Sequence, residues 1–400
     1  MKQIKTELLP AYGKQGWWEA YEEELMVEYR QCEEEGKQIE AYQPLFAAVS
    51  QMPAGEHKEK MANVLFDLQM NLPRRQDYPY QEPDELEAIR ALRPAWQQDR
   101  TELPDEKSLA DRIYGAWLGR TCGCLLGKPI EGIHTDELHP LLRESGNWPM
   151  HRYIVTSDIS PARKAASRFG FDEPHRQCWA DLVECAPADD DTNYTVLYQQ
   201  LIERFGRDFN ADQVAEIWMD LQPKTAYCTA ERVAFCNFVK GFRPPESAQW
   251  HNPYREWIGA QIRGDYFGYI NPGNPELAAE MAWRDASVSH VKNGIYGEMF
   301  ASAMIAQAAV EKDLTRVVRA GLAQIPATSR LYEAVSRIVT LYLEGKPQQA
   351  CYELIHGMYD EKKNPWLVPY RSQRHDCCHG AALWTWRLRN LDLHGGSNRF

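Results

Sequence analysis

Cysteine is sparse in this chain, ten in 400 residues, and that density excludes the disulfide frameworks that hold small secreted domains together. Cys32, Cys178, Cys228, Cys236 and Cys351 sit inside apolar helical patterns, where a thiol packs as a small hydrophobe. Cys122-x-Cys124 and Cys377-Cys378 have no second pair at zinc-ligand spacing, so no paired-cysteine zinc module is expected. No apolar run reaches the roughly 18 to 20 residues that cross a bilayer. The opening MKQIKTELLP lacks the apolar stretch of a secretory leader. A basic excess is missing too. Forty-five Lys and Arg stand against 57 Asp and Glu, a formal charge of −12, which argues against a nucleic-acid partner. These absences point to a cytoplasmic globular protein with reduced thiols and no membrane segment.

The hydrophobic fraction of 44% and charged fraction of 26% are those of a chain that buries an ordinary core. Its most informative stretch is DRIYGAWLGRTCGCLLGKPIEG, residues 111–132, with glycines at 115, 119, 123 and 127. On an α-helix that spacing lays a bare stripe along one side. Each glycine costs roughly 1 kcal/mol against alanine in a helix interior, so the stripe calls for close approach by another backbone or a ligand. Ile113, Ala116, Trp117, Leu118, Leu125 and Leu126 make the helix apolar almost all round, which predicts a central position. It stops at Lys128-Pro129, and Glu131 follows in the exit loop.

The rest reads as helices. Trp17, Trp18, Tyr21, Leu25, Tyr29 and Cys32 recur at helical spacing along an acidic run, and further helices are expected at about 37–51 and 56–71. Prolines 73, 79, 83 and 94 mark an extended connector. Residues 134–187 are mixed, with a β-like patch at Tyr153-Ile154-Val155. Helices are then expected from the aspartate run to about 205, at 210–222 and 229–239, as a pair over about 275–310, and at 315–323, 328–345 and 347–358. The expected fold class is all-α.

Asp189, Asp190 and Asp191 precede a convincing helix. Such a run is ordinarily a solvated loop, and at a helix start aspartate satisfies free backbone N–H groups and the dipole. With the Thr192 hydroxyl, however, three carboxylates also form the oxygen-rich set that Mg²⁺ or Mn²⁺ favours. Glu131 alone reads as a surface glutamate, and His290, at a turn between helices, as a packing residue. Lys128 after Gly127 fails the phosphate-loop spacing, because Cys122 and Pro129 stand where that motif needs Gly and Ser/Thr.

Taken in order, the glycine stretch, DDDTNYT and NPGNPELAAEMAWRDASVSHVKNGIYGEMFASAM resemble the ADP-ribosylglycohydrolase family, which includes the dinitrogenase-reductase-activating glycohydrolases. The resemblance covers about residues 109–345. It implies an all-helical domain with two divalent cations, usually Mg²⁺, in a central cleft. It also implies hydrolysis of the bond joining ADP-ribose C1″ to an acceptor such as an arginine or serine side chain, on a protein or a small molecule. By the same resemblance Asp189, Asp190 and Asp191 match a Thr-Asp-Asp metal motif. Asp189 departs from it by replacing threonine, which keeps a ligand and adds charge. Thr192 follows as in the motif. Glu131 matches the family glutamate near metal and scissile bond, the candidate base for the attacking water, with Asp190 beside it in the catalytic pair. Gly127, His290, Asn293 and Gly294 fall in the matching motifs as substrate-binding positions.

The implied organisation is an accessory helical region over 1–104, the glycohydrolase-like domain over 105–376 and an aberrant tail over 377–400. The accessory region is expected to set substrate or partner choice. The tail lacks the Gly-x-Asp-Thr-Asp-type motif that supplies the family's second aspartate pair, and it reads as a frameshifted end. A chain without that pair is expected to hold cations weakly and to turn over slowly. Two other readings remain open: a non-catalytic relative that binds ADP-ribose or a nucleotide, and a hydrolase of another ribosyl N-glycoside.

Overall fold

The computed structural model describes residues 16, 18–96, 102–172 and 177–359. The expected tail over 377–400, with Cys377 and Cys378, lies outside the described residues, as does Trp17. Among the described residues there is no strand, only one isolated bridge between Lys37 and Arg74, and the fold is all-helical. The β-like patch at Tyr153-Ile154-Val155 forms none.

The N-terminal layer comprises α1 (Leu25–Glu34), α2 (Gln43–Ser50) and α3 (Glu56–Met70). Leu25, Tyr29, Cys32, Phe46, Leu65 and Phe66 close on one another as a small core of their own. The expected helix begins only at Leu25, because Trp18 has a φ of 58°, outside the helical basin. A short helix α4 (Leu86–Ala91) in the proline-rich connector leads to α5 (Glu106–Gly127), capped by Asp105 accepting from the Ser108 N–H. Then come α6 (Thr135–Glu144), whose Leu141 and Leu142 pack with Ile133, Ile154, Phe171 and Trp179 in a separate apolar cluster, and the short α7 (Pro161–Ala166).

The main core gathers α8 (Asp190–Phe205), α9 (Ala211–Leu221), α10 (Thr229–Val239) and, after the short α11 (Glu246–Gln249) outside it, α12 (Asp265–Tyr269), α13 (Pro275–Ala286), α14 (Asn293–Ala308), α15 (Leu314–Leu322), α16 (Arg330–Leu343) and α17 (Gln348–Met358). Its axis is α14, with twelve of its sixteen residues buried. Gly264 and Gly268, one helical turn apart, let α12 lie directly on α14. A β-carbon on Gly268 would stand 2.5 Å from Ile305 Cβ and 2.9 Å from the Ser302 carbonyl.

The central position expected of α5 is thus taken by α14. No residue of α5 is fully buried, and no described atom lies within 4 Å of a β-carbon built on Gly115, Gly119, Gly123 or Gly127. One face, carrying Trp117 and Arg120, turns toward α12 and α8, where Trp117 stacks on Tyr269 with ring centroids 6.3 Å apart. The other, with Tyr114 and Leu118, is open among the described residues. The reason lies in chemistry that apolar periodicity does not count: the polar side chains at 120, 124 and 128 face the packed side.

Arg263, fully buried, fastens the core. Its Nε donates to Asp285 Oδ2 at 2.7 Å, and its Nη1 to Ser289 Oγ at 2.8 Å and Glu231 Oε1 at 3.1 Å. The guanidinium lies 4.9 Å over the Trp218 ring and 5.7 Å over Tyr194. Glu298 Oε2 is 3.5 Å away. Burial, then the neighbouring Asp285 charge, raise the Glu298 pKa well above the ordinary carboxylate range.

Two predictions follow from these placements. Gly119→Ala should raise stability by about 0.5–1 kcal/mol, since helix propensity is gained and no described atom is met. A lower melting temperature would show the stripe to be covered. For Glu298, the unfolded chain gives up its proton near the ordinary value of 4.5 while the folded chain keeps it. Folding therefore loses about 1.4 kcal/mol per pH unit above that point, until Glu298 itself ionises. Glu298→Gln should gain on the wild type between about pH 5 and 7 in urea titrations; parallel pH curves would contradict this.

Candidate metal centre

The C-terminal turn of α5 meets the first turn of α8. Spacing of four places Arg120, Cys124 and Lys128 on one face of α5, and that face carries the chemistry. Arg120 Nη2 donates to the Asp191 carbonyl at 3.0 Å, to Asp191 Oδ1 at 3.1 Å and to the Ile262 carbonyl at 2.8 Å. Its Nε lies 3.6 Å from Asp265 Oδ2, which also accepts from Tyr269 OH at 3.0 Å. Lys128 Nζ pairs with Asp189 Oδ2.

Asp189 is the N-cap of α8: its side chain accepts from the Asp191 N–H at 3.1 Å, and its carbonyl accepts from Thr192 Oγ1 at 3.2 Å. Burial pushes the Asp189 pKa upward, but the Lys128 ammonium outweighs it and holds the group below the usual value. Asp190 goes the other way. Burial, then Asp189, Asp191 and Glu131, raise it well above the carboxylate range. Asp191 is raised by burial despite Arg120. Burial likewise raises Asp265, which Arg120 opposes.

Glu131 stands exposed past the single turn that ends α5, near enough for its charge to act on Asp190. Gly127 is exposed at the end of α5 and packs against no described residue. The three positions expected from the last motif lie elsewhere. His290 is buried, with Nδ1 2.8 Å from Ser289 Oγ, and burial, then Arg263, hold it well below the usual imidazole pKa. Asn293 is buried in the seam with the N-terminal layer. Its Nδ2 donates to Glu82 and Glu256 at 2.9 Å each, and its Oδ1 accepts from the Leu331 N–H at 3.0 Å. A β-carbon on Gly294 would press on the His290 ring at 2.8 Å and the Arg255 carbonyl at 2.9 Å. These contacts correct the substrate-binding expectation for His290, Asn293 and Gly294: packing and the seam occupy them.

Arg120, Cys124 and Asp265 were not singled out from the sequence as site residues. The signal for two of them was present, since Arg120, Cys124 and Lys128 repeat with the same period as the glycines. Asp265, distant in sequence, has no such mark. The donors fit a divalent cation: Cys124 Sγ and one oxygen each of Asp189 and Asp191 lie within 4.8 Å of one another. The like charges that lift the Asp190 pKa are those that a bound cation offsets.

The structure is thus that of an all-helical protein with carboxylates gathered at one helix start, facing a glycine-rich helix, in a cluster that could hold a divalent cation. The chain belongs to the ADP-ribosylglycohydrolase family, whose sequence pattern matches residues 105–392. That family typically binds divalent metals. Neither a curated protein nor a solved structure matches the chain. No described helix is long and apolar enough to cross a membrane.

Lys128 pairs with an Asp189 oxygen, so it would compete with any cation bound there. Lys128→Met removes a half-buried unit charge beside Asp189 and should tighten Mn²⁺ binding by roughly tenfold in calorimetric titration. Equal or weaker binding would mean that the ammonium is not the competitor.

Proposed function

We propose that the chain is a divalent-cation-dependent glycohydrolase that cleaves the bond between ADP-ribose C1″ and an acceptor group on a protein or small molecule. The observation that carries this is the convergence of Asp189, Asp190 and Asp191 with Cys124 and Glu131, from two elements far apart in sequence, in a chain of this family. A bound cation would orient ribose hydroxyls and water and offset charge as the anomeric carbon becomes oxocarbenium-like. Asp189, Asp190 and Asp191 are the candidate ligands. Glu131, exposed at the rim, is the candidate base that takes a proton from the attacking water. Arg120 holds the Asp191 backbone and side chain in place, fixing the first turn of α8.

The resemblance implies Mg²⁺, and the thiol in the donor set weighs against it. The test is release of ADP-ribose from ADP-ribosylated arginine and serine peptides, with the protein loaded in turn with Mg²⁺, Mn²⁺ or Zn²⁺. Chelation should abolish release, and Asp190→Asn should lower it roughly 100-fold. Binding of ADP-ribose without turnover under every loading would instead favour a non-catalytic relative. Faster turnover of free nucleosides would favour a different ribosyl N-glycoside.

A further inference from the structure

The donor set at the start of α8 is not all oxygen. Cys124 Sγ lies within 4.8 Å of oxygens on both Asp189 and Asp191, projected there from one turn before the end of α5. Two more thiols stand close by on other segments. Cys228, the residue before α10, hydrogen-bonds with Asp190, and Cys178 is near enough to Lys128 for their charges to interact. Thiols at Cys124 and Cys228 thus border the carboxylate cluster, with Cys178 near Lys128 at its edge.

Softness decides which cation such a set selects. Mg²⁺ is hard, keeps several waters and takes oxygen ligands in near-ideal octahedral geometry. Thiolate sulfur favours softer ions such as Zn²⁺, and three protein ligands with a fourth position left to water form the ordinary catalytic zinc arrangement. Two carboxylates and one thiolate supply that number and that chemistry.

We propose that Cys124 is a metal ligand and that it directs this centre toward a thiophilic divalent cation of the Zn²⁺ type in preference to Mg²⁺. The inference rests on the metal-centre reading above and names the cation for it. When the S–metal bond forms, the thiol proton passes to solvent and the Lys128 ammonium gives up Asp189 to the incoming ion.

The test uses the full chain, with calorimetric titration of Mg²⁺, Mn²⁺, Zn²⁺ and Cd²⁺, and ultraviolet difference spectra for the thiolate-to-Cd²⁺ charge-transfer band. Wild type, Cys124→Ser and Cys124→Asp are compared, so that bands from exposed Cys122 and Cys185 cancel in the difference. Zn²⁺ and Cd²⁺ should bind the wild type roughly 100-fold more tightly than Mg²⁺. Cys124→Ser should lose the difference band and roughly 10- to 100-fold of Zn²⁺ affinity. Cys124→Asp, with a hard donor at the same place, should shift preference toward Mg²⁺ and Mn²⁺. If the band and the affinities are the same in wild type and Cys124→Ser, sulfur is not a ligand and this inference falls while the metal centre stands. If no cation binds any of the three proteins, the metal-centre reading falls with it.

Discussion

Five helices close on the guanidinium of Arg263. It is met by carboxyl groups from α10 (Glu231), α13 (Asp285) and α14 (Glu298), and lies over the rings of Tyr194 from α8 and Trp218 from α9. A guanidinium taken from water without partners is prohibitively costly, so each helix is held where it supplies charge, acceptor or ring face. Geometry of this kind tolerates little slack. Tyr198, one turn beyond Tyr194, donates to the other oxygen of Asp285 at 2.6 Å and fixes α8 a second time.

The aspartate cluster inherits its rigidity from that arrangement. Ile262, the residue before Arg263, turns its carbonyl to Arg120, and Arg120 in turn holds the main chain and side chain of Asp191. The chain Arg263, Ile262, Arg120, Asp191 is a short mechanical path from buried core to reactive rim. Charge follows the same plan: the positive groups Arg120 and Lys128 both come from α5, while the aspartates come from α8.

Most helix positions were legible because their causes are local. Apolar spacing and capping residues such as Asn210 and Ser329 set boundaries within a few residues, and a cap acts on its own helix. The aspartate run was legible as a helix start for the same reason, since it lies next to the turn it caps. The rank of the two glycine-rich helices was not. The stripe at 115–127 suggests burial, yet close glycine contacts against the central helix α14 are made at 264 and 268, where no glycine stripe marks them. Whether a bare face is filled depends on what the distant chain brings to it. His290, Asn293 and Gly294 are placed elsewhere for the same reason: the partners of Asn293 (Glu82, Glu256 and Leu331) and the Arg255 carbonyl against Gly294 lie 37 or more positions away. Asp265 had no local pattern to betray it.

The N-terminal layer meets the core through buried charge as well as apolar contact, with Val27 and Trp18 packed on Ala230, Val233 and Tyr254. Arg255 donates to Glu28 and Glu35 at 2.7 Å each, Lys292 lies 2.8 Å from Glu35, and Arg330 reaches Glu82 at 2.7 Å and Glu256 at 2.6 Å, all of them buried. Removing one member of such a set strands its partners without water, a loss of about 3–5 kcal/mol, whereas replacing partners together can be nearly neutral. Drift across this seam must therefore proceed in matched steps, with α1 and the loop before α14 changing in concert. The layer and the domain beneath it are bound to a shared history: neither can be exchanged for that of a distant relative without carrying the other half of the seam with it.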